Sequence, residues 1–195
     1  MIAKIYPTVQ DFINNDFQSL KENSHCECGQ PHPKPRPNKF YVTSGGFDPL
    51  HIGHVRCLRK TFELAAHKYY QLGQKYSVIV IVNGDGFLER KKTKAFMPLA
   101  ERMEIIAHLE GIDYVMGWDD GSQTVVGALE LLQPAFFTKG GDRSAADKVP
   151  EAEVCDKIGC QILYGIGGTE KIQSSSHLIE KSNGNLIKQS NGEKR

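Results

Sequence analysis

No hydrophobic stretch of this chain is long enough to cross a bilayer. The longest apolar run, Val78 to Val82, falls far short of the roughly 20 residues that a membrane-spanning helix needs. Excess charge of either sign is missing as well. Against 24 Lys+Arg stand 23 Asp+Glu, a formal charge of +1, so no global field points to nucleic acid or an acidic lipid surface. Any anion the protein binds must be held by a local site. Residues 1–25 scatter Lys4, Asp11, Asp16 and Glu22 among the apolar positions, a pattern that predicts no secretory signal. The five cysteines are odd in number and lack a framework spacing, which fits a reducing cytoplasm better than a disulfide scaffold. There is no internal repeat.

What is present is ordinary globular composition: 195 residues, 39% hydrophobic and 24% charged. A chain of this length can bury about 70% of the surface its unfolded form exposes, enough for one self-sufficient domain with an appendage. Val9, Phe12, Ile13, Phe17 and Leu20 share one face of a helix expected over Thr8–Asn23, with Thr8 and Asp11 as its cap. Proline at 31, 33, 35 and 37 then enforces an extended linker. From Phe40 onwards short apolar strands (Phe40–Thr43, Ser77–Val82, Tyr114–Gly117, Ala135–Thr138 and Gln161–Tyr164) alternate with helical segments (Val55–Ala66, Leu99–Leu109, Thr124–Leu132 and Glu151–Ile158). That alternation predicts an α/β fold, a doubly wound parallel sheet of Rossmann-like type with an amino-terminal helical extension. Three parts are expected: an extension over 1–39, the α/β domain over 40–181, and a frayed tail over 182–195. The apolar face of the extension is expected to dock on a second subunit, since a symmetric pair is the commonest oligomer.

The most informative stretch follows the first of these strands: Gly45-Gly46-Phe47-Asp48-Pro49-Leu50-His51-Ile52-Gly53-His54. In an open parallel sheet, ligands bind beyond the carboxyl ends of the strands. Gly45 and Gly46 allow backbone amides to approach a phosphate, and the next helix presents its positive end. His51 and His54, three apart, fall on one side of its first turn. There two imidazoles can donate to a phosphate oxygen as negative charge develops.

Gly-x-Phe-Asp-x-x-His-x-Gly-His resembles the signature of the cytidylyltransferase-like nucleotidylyltransferases. The resemblance implies that both histidines stabilise a pentacoordinate phosphate while an acceptor phosphate attacks the α-phosphate of a nucleoside triphosphate and pyrophosphate leaves. No covalent enzyme intermediate is implied. Three later segments match in order. Lys94 to Arg102 resembles a basic loop leading into a helix with a glutamate-arginine pair; Lys91 and Lys94 would meet the triphosphate, or form a solvated charge run with Lys92, and Arg102 would contact it from the helix. Lys139-Gly140-Gly141-Asp142 resembles the Lys-Gly-Gly-Asp of the heptose-1-phosphate adenylyltransferases, with Asp142 holding a base, ribose or acceptor hydroxyl. Ser174-Ser175-Ser176-His177-Leu178-Ile179 resembles a Ser-Thr-Thr segment opening a helix, whose hydroxyls and amides would take the β- and γ-phosphates. Gln173 stands where the family has an apolar residue.

Taken together, the resemblance implies catalytic roles for His51, His54, Lys94 and Ser174. Nucleotide contacts are implied for Gly45, Gly46, Phe47, Asp48, Lys91, Arg102, Lys139, Gly140, Asp142, Ser175 and Ser176. Asn83-Gly84-Asp85, Pro98 to Arg102 and Lys139 to Asp142 are closest to the heptose-1-phosphate adenylyltransferases, while Thr169-Glu170 is similar to the glycerol-3-phosphate cytidylyltransferases, so ATP and CTP both stay open. Asp85 holds the acceptor or caps a helix. Mg²⁺ is expected with the triphosphate, and no protein metal ligand is assigned. His25, Cys26, Cys28 and His32 offer a zinc set, but the Cys-x-Cys spacing is tight and reduced thiols are favoured. Cys57, Cys155 and Cys160 read as core residues; Trp118 stacks on a base or packs. The expected partners are a nucleoside triphosphate and a small phosphorylated acceptor, with no nucleic acid and no membrane. A homodimer is expected. The rival of another class is a nucleotide-binding regulator without turnover.

Overall fold

The computed structural model describes residues 2–17, 19–20, 38–72, 75–92, 94–140, 149–168 and 173–182. Six strands, β1 (Lys4–Tyr6), β2 (Asn38–Gly45), β3 (Ser77–Asn83), β4 (Tyr114–Trp118), β5 (Pro134–Gly140) and β6 (Gln161–Ile166), form one sheet in the order β1-β4-β3-β2-β5-β6. Every pairing is parallel. The run Val78–Val82 lies in a central strand and is buried on both faces, which is why it shows no polar alternation.

The helices are α1 (Val9–Phe12), α2 (Ile52–Leu72), α3 (Asp85–Lys92), α4 (Leu99–Ala107), α5 (Val126–Leu132), α6 (Ala152–Ile158) and α7, residues 175–182. Two apolar layers follow from the pleat. Val78, Val80 and Val82 pack with Leu58 of α2 and Met103 and Ile106 of α4. Ile79 and Ile81 pack with Phe12 of α1, Leu129 of α5 and Val154 of α6. Both faces of the sheet are therefore covered, and the doubly wound expectation holds. Among the described residues no helix is long and apolar enough to cross a membrane.

The amino-terminal segment departs from the sequence reading. Lys4–Tyr6 extends the sheet as a strand against β4, in register Lys4↔Tyr114 and Tyr6↔Met116. The helix follows the expectation through the described residues: α1 runs on into a π turn over Ile13–Phe17, residues 19–20 are helical, and residues 18 and 21–23 lie outside the described ones. Its cap is as anticipated, for Thr8 Oγ1 accepts from the Asp11 amide at 3.1 Å and Asp11 Oδ2 accepts from the Thr8 amide at 2.9 Å. The docking expectation is corrected. Val9 and Phe12 are fully buried and Phe17 nearly so, in the chain's own core. Phe12 meets the rings of Tyr114 at 5.0 Å and Phe40 at 6.2 Å. Aromatic packing within the subunit thus already covers these side chains. Asp16 accepts from Lys4 Nζ at 2.7 Å and from the Tyr6 hydroxyl, tying the π turn to β1.

Candidate active site

The strand order reverses between β2 and β5, the switch point at which ligands enter an open α/β sheet. A buried hydroxyl chain closes this seam: Thr61 of α2 bonds Thr138 Oγ1 at 2.9 Å, Thr43 Oγ1 donates to the Thr138 carbonyl at 3.2 Å, and Thr138 Oγ1 to that of Val42 at 3.3 Å. Directly above it the loop from Gly45 carries the two histidines into α2.

His51 and His54 stack, with ring centroids 3.7 Å apart and planes inclined by 23°. The backbone N–H of His51 donates to His54 Nδ1 at 3.4 Å. An acceptor Nδ1 puts the proton of a neutral imidazole on Nε2. Gly53 between them is closely approached, for a Cβ there would lie 3.1 Å from the His51 ring and press on it. Phe47, in a left-handed conformation at φ 51°, is buried and sets its ring edge-on to His54 at 4.9 Å. Phe47 thus supports the histidine from beneath instead of facing a ligand, contrary to the sequence expectation. Gly45 and Gly46 leave room for the Phe47 ring and for Leu88, so packing already accounts for part of their need.

Two further expectations are corrected. Asp48 is 1% exposed, and its carboxylate accepts the amides of Phe96 at 2.8 Å and Met97 at 2.7 Å. Both oxygens are spent on the chain that follows Lys94. Arg102 is fully buried. Its guanidinium donates to the carbonyls of Met97 (2.9 Å), Gly46 (2.7 Å) and Asn83 (2.7 Å) and to Asp85 Oδ1 (2.5 Å). A fork committed in this way is a staple joining the ends of β2 and β3 to α3 and α4, with no exposed edge for a triphosphate. Asp85 completes it by accepting the Leu99 amide at 3.2 Å, at the first residue of α4. Lys91 and Lys94 are exposed, as mobile cations should be.

At the end of β5, Lys139 pairs with Glu151 at 3.2 Å and sits 4.4 Å over the Phe137 ring. Around Gly140 a Cβ would meet nothing within 4 Å among the described residues. Packing among the described residues does not explain that glycine. Gly141 and Asp142 lie outside the described residues. In the serine cluster, Ser174 Oγ accepts the His177 amide at 3.2 Å and so caps α7, while Gln173 accepts the Ser174 amide at 3.2 Å. Ser175 is buried and donates to the Pro49 carbonyl at 2.9 Å; Ser176 is exposed. The amino end of α7 is thereby brought to the loop that precedes His51.

Sequence reasoning missed the pair Arg90–Asp119. Asp119 accepts from Arg90, from the Phe87 amide at 2.8 Å and from the Gly121 amide at 3.2 Å. Burial pushes its carboxyl up, but these donors outweigh burial and hold it below the usual range. Gly84 and Gly86, where a Cβ would strike Asp119, are the signal that was there to read. Trp118 packs: its indole N–H donates to the Thr124 carbonyl at 3.2 Å and a Cβ on Gly127 would strike its ring. Cys57, Cys155 and Cys160 are free and buried, as expected. His25, Cys26, Cys28, His32, Thr169-Glu170, the proline linker 31–37 and the tail from 183 lie outside the described residues.

Comparison with known proteins agrees with this geometry. The cytidylyltransferase-like family model matches residues 42–173. The bifunctional protein HldE of Geobacter metallireducens is 31% identical over 158 residues, which cover 76% of this chain and 28% of that protein. The HldE of Blochmanniella pennsylvanica is 34% identical over 164 residues, 80% of this chain and 29% of its own. The chain thus spans under a third of the length of these curated relatives. The lipopolysaccharide core biosynthesis protein of Thermoplasma volcanium shares the fold, with a TM-score of 0.50 and 22% identity over 64% of this chain and 93% of that one. By sequence, topology and the placement of its paired histidines, this chain belongs to the cytidylyltransferase-like family.

Proposed function

We propose that the protein transfers a nucleoside monophosphate from a nucleoside triphosphate to a phosphorylated sugar or alcohol, with release of pyrophosphate. The observation that carries this reading is the stacked His51–His54 pair at the mouth of α2, above the β2–β5 switch point. An oxygen of the acceptor phosphate attacks the α-phosphorus, and the bond from that phosphorus to the oxygen bridging to the β-phosphate breaks. Pyrophosphate takes the electron pair, so no side chain is needed as a nucleophile. The paired imidazoles of His54 and His51 meet an α-phosphate oxygen as donors. Such donors act most strongly on charge that appears only in the transition state. Lys94 and Lys91 close on the β- and γ-phosphates, and Ser174 and Ser176 bring the amino end of α7 to the same groups. Lys139 and Gly140 flank the nucleotide from the end of β5, and the sequence motif they open supplies Asp142 to hold a base, ribose or acceptor hydroxyl. Mg²⁺ bound with the triphosphate would supply charge neutralisation there, with no side chain assigned to hold it.

Adenylyl transfer to a heptose-1-phosphate type of acceptor is favoured by the segments Asn83–Asp85, Pro98–Arg102 and Lys139–Asp142. The alternative, cytidylyl transfer of the glycerol-3-phosphate type, is favoured by Thr169-Glu170. Pyrophosphate release from ATP, CTP, GTP and UTP against sugar phosphates, glycerol phosphate and phosphocholine tests both. Release with one pair names the reaction; nucleotide binding without release from any pair would return the protein to the regulator class.

A further inference from the structure

Two nucleophilic side chains have no place in the site described so far. Cys155 and Cys160 stand at the corner where α6 turns into β6, both buried, with 1% and 7% of their surface exposed. The corner is a Schellman closure. Gly159 takes the left-handed conformation at φ 73°. Its amide donates to the Asp156 carbonyl at 3.3 Å, and the Cys160 amide donates to the Cys155 carbonyl at 2.8 Å. That motif commonly brings the side chains of its two outer residues into contact, and here both are thiols.

The Cys160–Cys155 backbone bond also limits the distance between the two residues. Beyond its ends lie only one N–Cα, one C=O and one Cα–C bond, so the Cα atoms are under about 7 Å apart. Two cysteines held inside that limit can be bridged without moving the backbone, provided their side chains face each other. They do: the Cys160 thiol donates to the Cys155 sulfur. This bond holds the Cys155 thiol below its usual range, against burial and the Glu151 carboxylate and with help from the Lys139 ammonium. The same bond, with burial, pushes the Cys160 thiol up. Cys155 is therefore the sulfur that ionises, beside the ammonium that Glu151 pairs with at 3.2 Å. Cys57 on α2 differs, for burial raises its thiol against the hydroxyls of Thr43 and Thr61.

We propose that Cys155 and Cys160 form a modification site, a dithiol that a small hydroperoxide oxidises to an intrachain disulfide while α6 and β6 stay in place. The Cys155 sulfur attacks one peroxide oxygen and the O–O bond breaks. The departing oxygen takes up the proton that Cys155 released and leaves as water, with a sulfenic acid on Cys155. The Cys160 sulfur then attacks the sulfenic sulfur. The S–S bond forms, the S–O bond breaks, and the hydroxide leaves with the Cys160 proton as a second water. Peroxide gains the two electrons that the thiols lose. Burial admits an oxidant as small as hydrogen peroxide, and a dithiol reductant restores the pair. The site is independent of the transfer reaction.

The test is peptide mapping of the full chain after treatment with hydrogen peroxide and blocking of the remaining thiols. Trypsin cuts after Lys148, Lys157 and Lys171, so the bridge joins peptides 149–157 and 158–171, whereas Cys26 and Cys28 share a third peptide and Cys57 lies in a fourth. Mass spectrometry should find the linked pair, two hydrogens lighter than its parts together, and dithiothreitol should separate it. The link should form about tenfold or more faster than any oxidation of Cys57. In Cys160→Ala, dimedone should capture a sulfenic acid on Cys155, and in Cys155→Ala about tenfold less should be captured on Cys160. Oxidised wild type should melt at the Tm of the reduced protein or above it. Thiols that stay reduced until the chain is unfolded would be core residues only and would overturn the proposal. A bridge from either sulfur to Cys57, a lower Tm after oxidation, or equal dimedone capture in the two variants would overturn it as well. The wild-type map and melt decide by themselves if a variant does not fold.

Discussion

The hydroxyl of Ser175 donates to the carbonyl oxygen of Pro49 across 126 residues of sequence, at 2.9 Å. This single bond sets the amino end of α7 against the loop that delivers His51. Ser175→Ala should lower kcat/KM about tenfold, since a small displacement of a positioning element costs far more in rate than in stability. Steady-state kinetics beside a Tm measurement checks this; an equal loss of both would mean that the helix merely contributes packing.

Replacing His51 or His54 with alanine should lower kcat by about a hundredfold or more with little change in the triphosphate KM. Gly53→Ala should produce a smaller loss of the same kind, because its new Cβ would press on the His51 ring at 3.1 Å. Near-normal kcat in either histidine variant would remove that residue from the chemistry.

Lys94 and Arg102 should separate cleanly. Lys94→Ala is expected to raise the triphosphate KM and leave Tm unchanged. Arg102→Ala should cost about 3 kcal/mol or more in unfolding free energy, as it strands three carbonyls and Asp85. Denaturant titration of both variants decides the matter.

Removal of residues 1–38 should yield protein that does not fold, because Val9, Phe12 and Phe17 leave the core and β4 loses its neighbour. Phe12→Ala alone should cost about 3–5 kcal/mol. A soluble, cooperatively melting truncation would contradict the packing seen around Phe40 and Tyr114.

Hydrogen bonds from Lys4 and Tyr6 hold the Asp16 carboxyl below its ordinary value. A carboxyl depressed in the folded state stabilises the fold above its unfolded pKa and loses that contribution as pH falls through the folded one. The Tm gap between wild type and Asp16→Asn should therefore be present at neutral pH and shrink on acidification from about pH 5 to about pH 2.

Elements with a strong period were legible in the sequence. Val78–Val82 could only be a strand buried on both faces, and the helices facing it carried regular apolar stripes. β1 was hidden because three residues are too few to show alternation, and α3 because Phe87 and Leu88 are its only buried positions. The histidine loop was legible as a site, since glycines, strand and helix agree there. The roles of Asp48 and Arg102 were not. A sequence shows that a residue is charged, but not that its charge is consumed internally by amides and carbonyls.

The clamp of Asp48 on the amides of Phe96 and Met97 has a mechanical consequence. Everything from Met97 onward is riveted to the floor of the crevice, by this carboxylate on one side and by the Arg102 fork on the other. If the basic segment swings over a bound triphosphate, its pivot has to lie upstream of Phe96. Lys94 can travel while the paired histidines and the strand ends stay where they are. The lever that moves and the anvil on which the chemistry is done are then separated by a single residue of backbone.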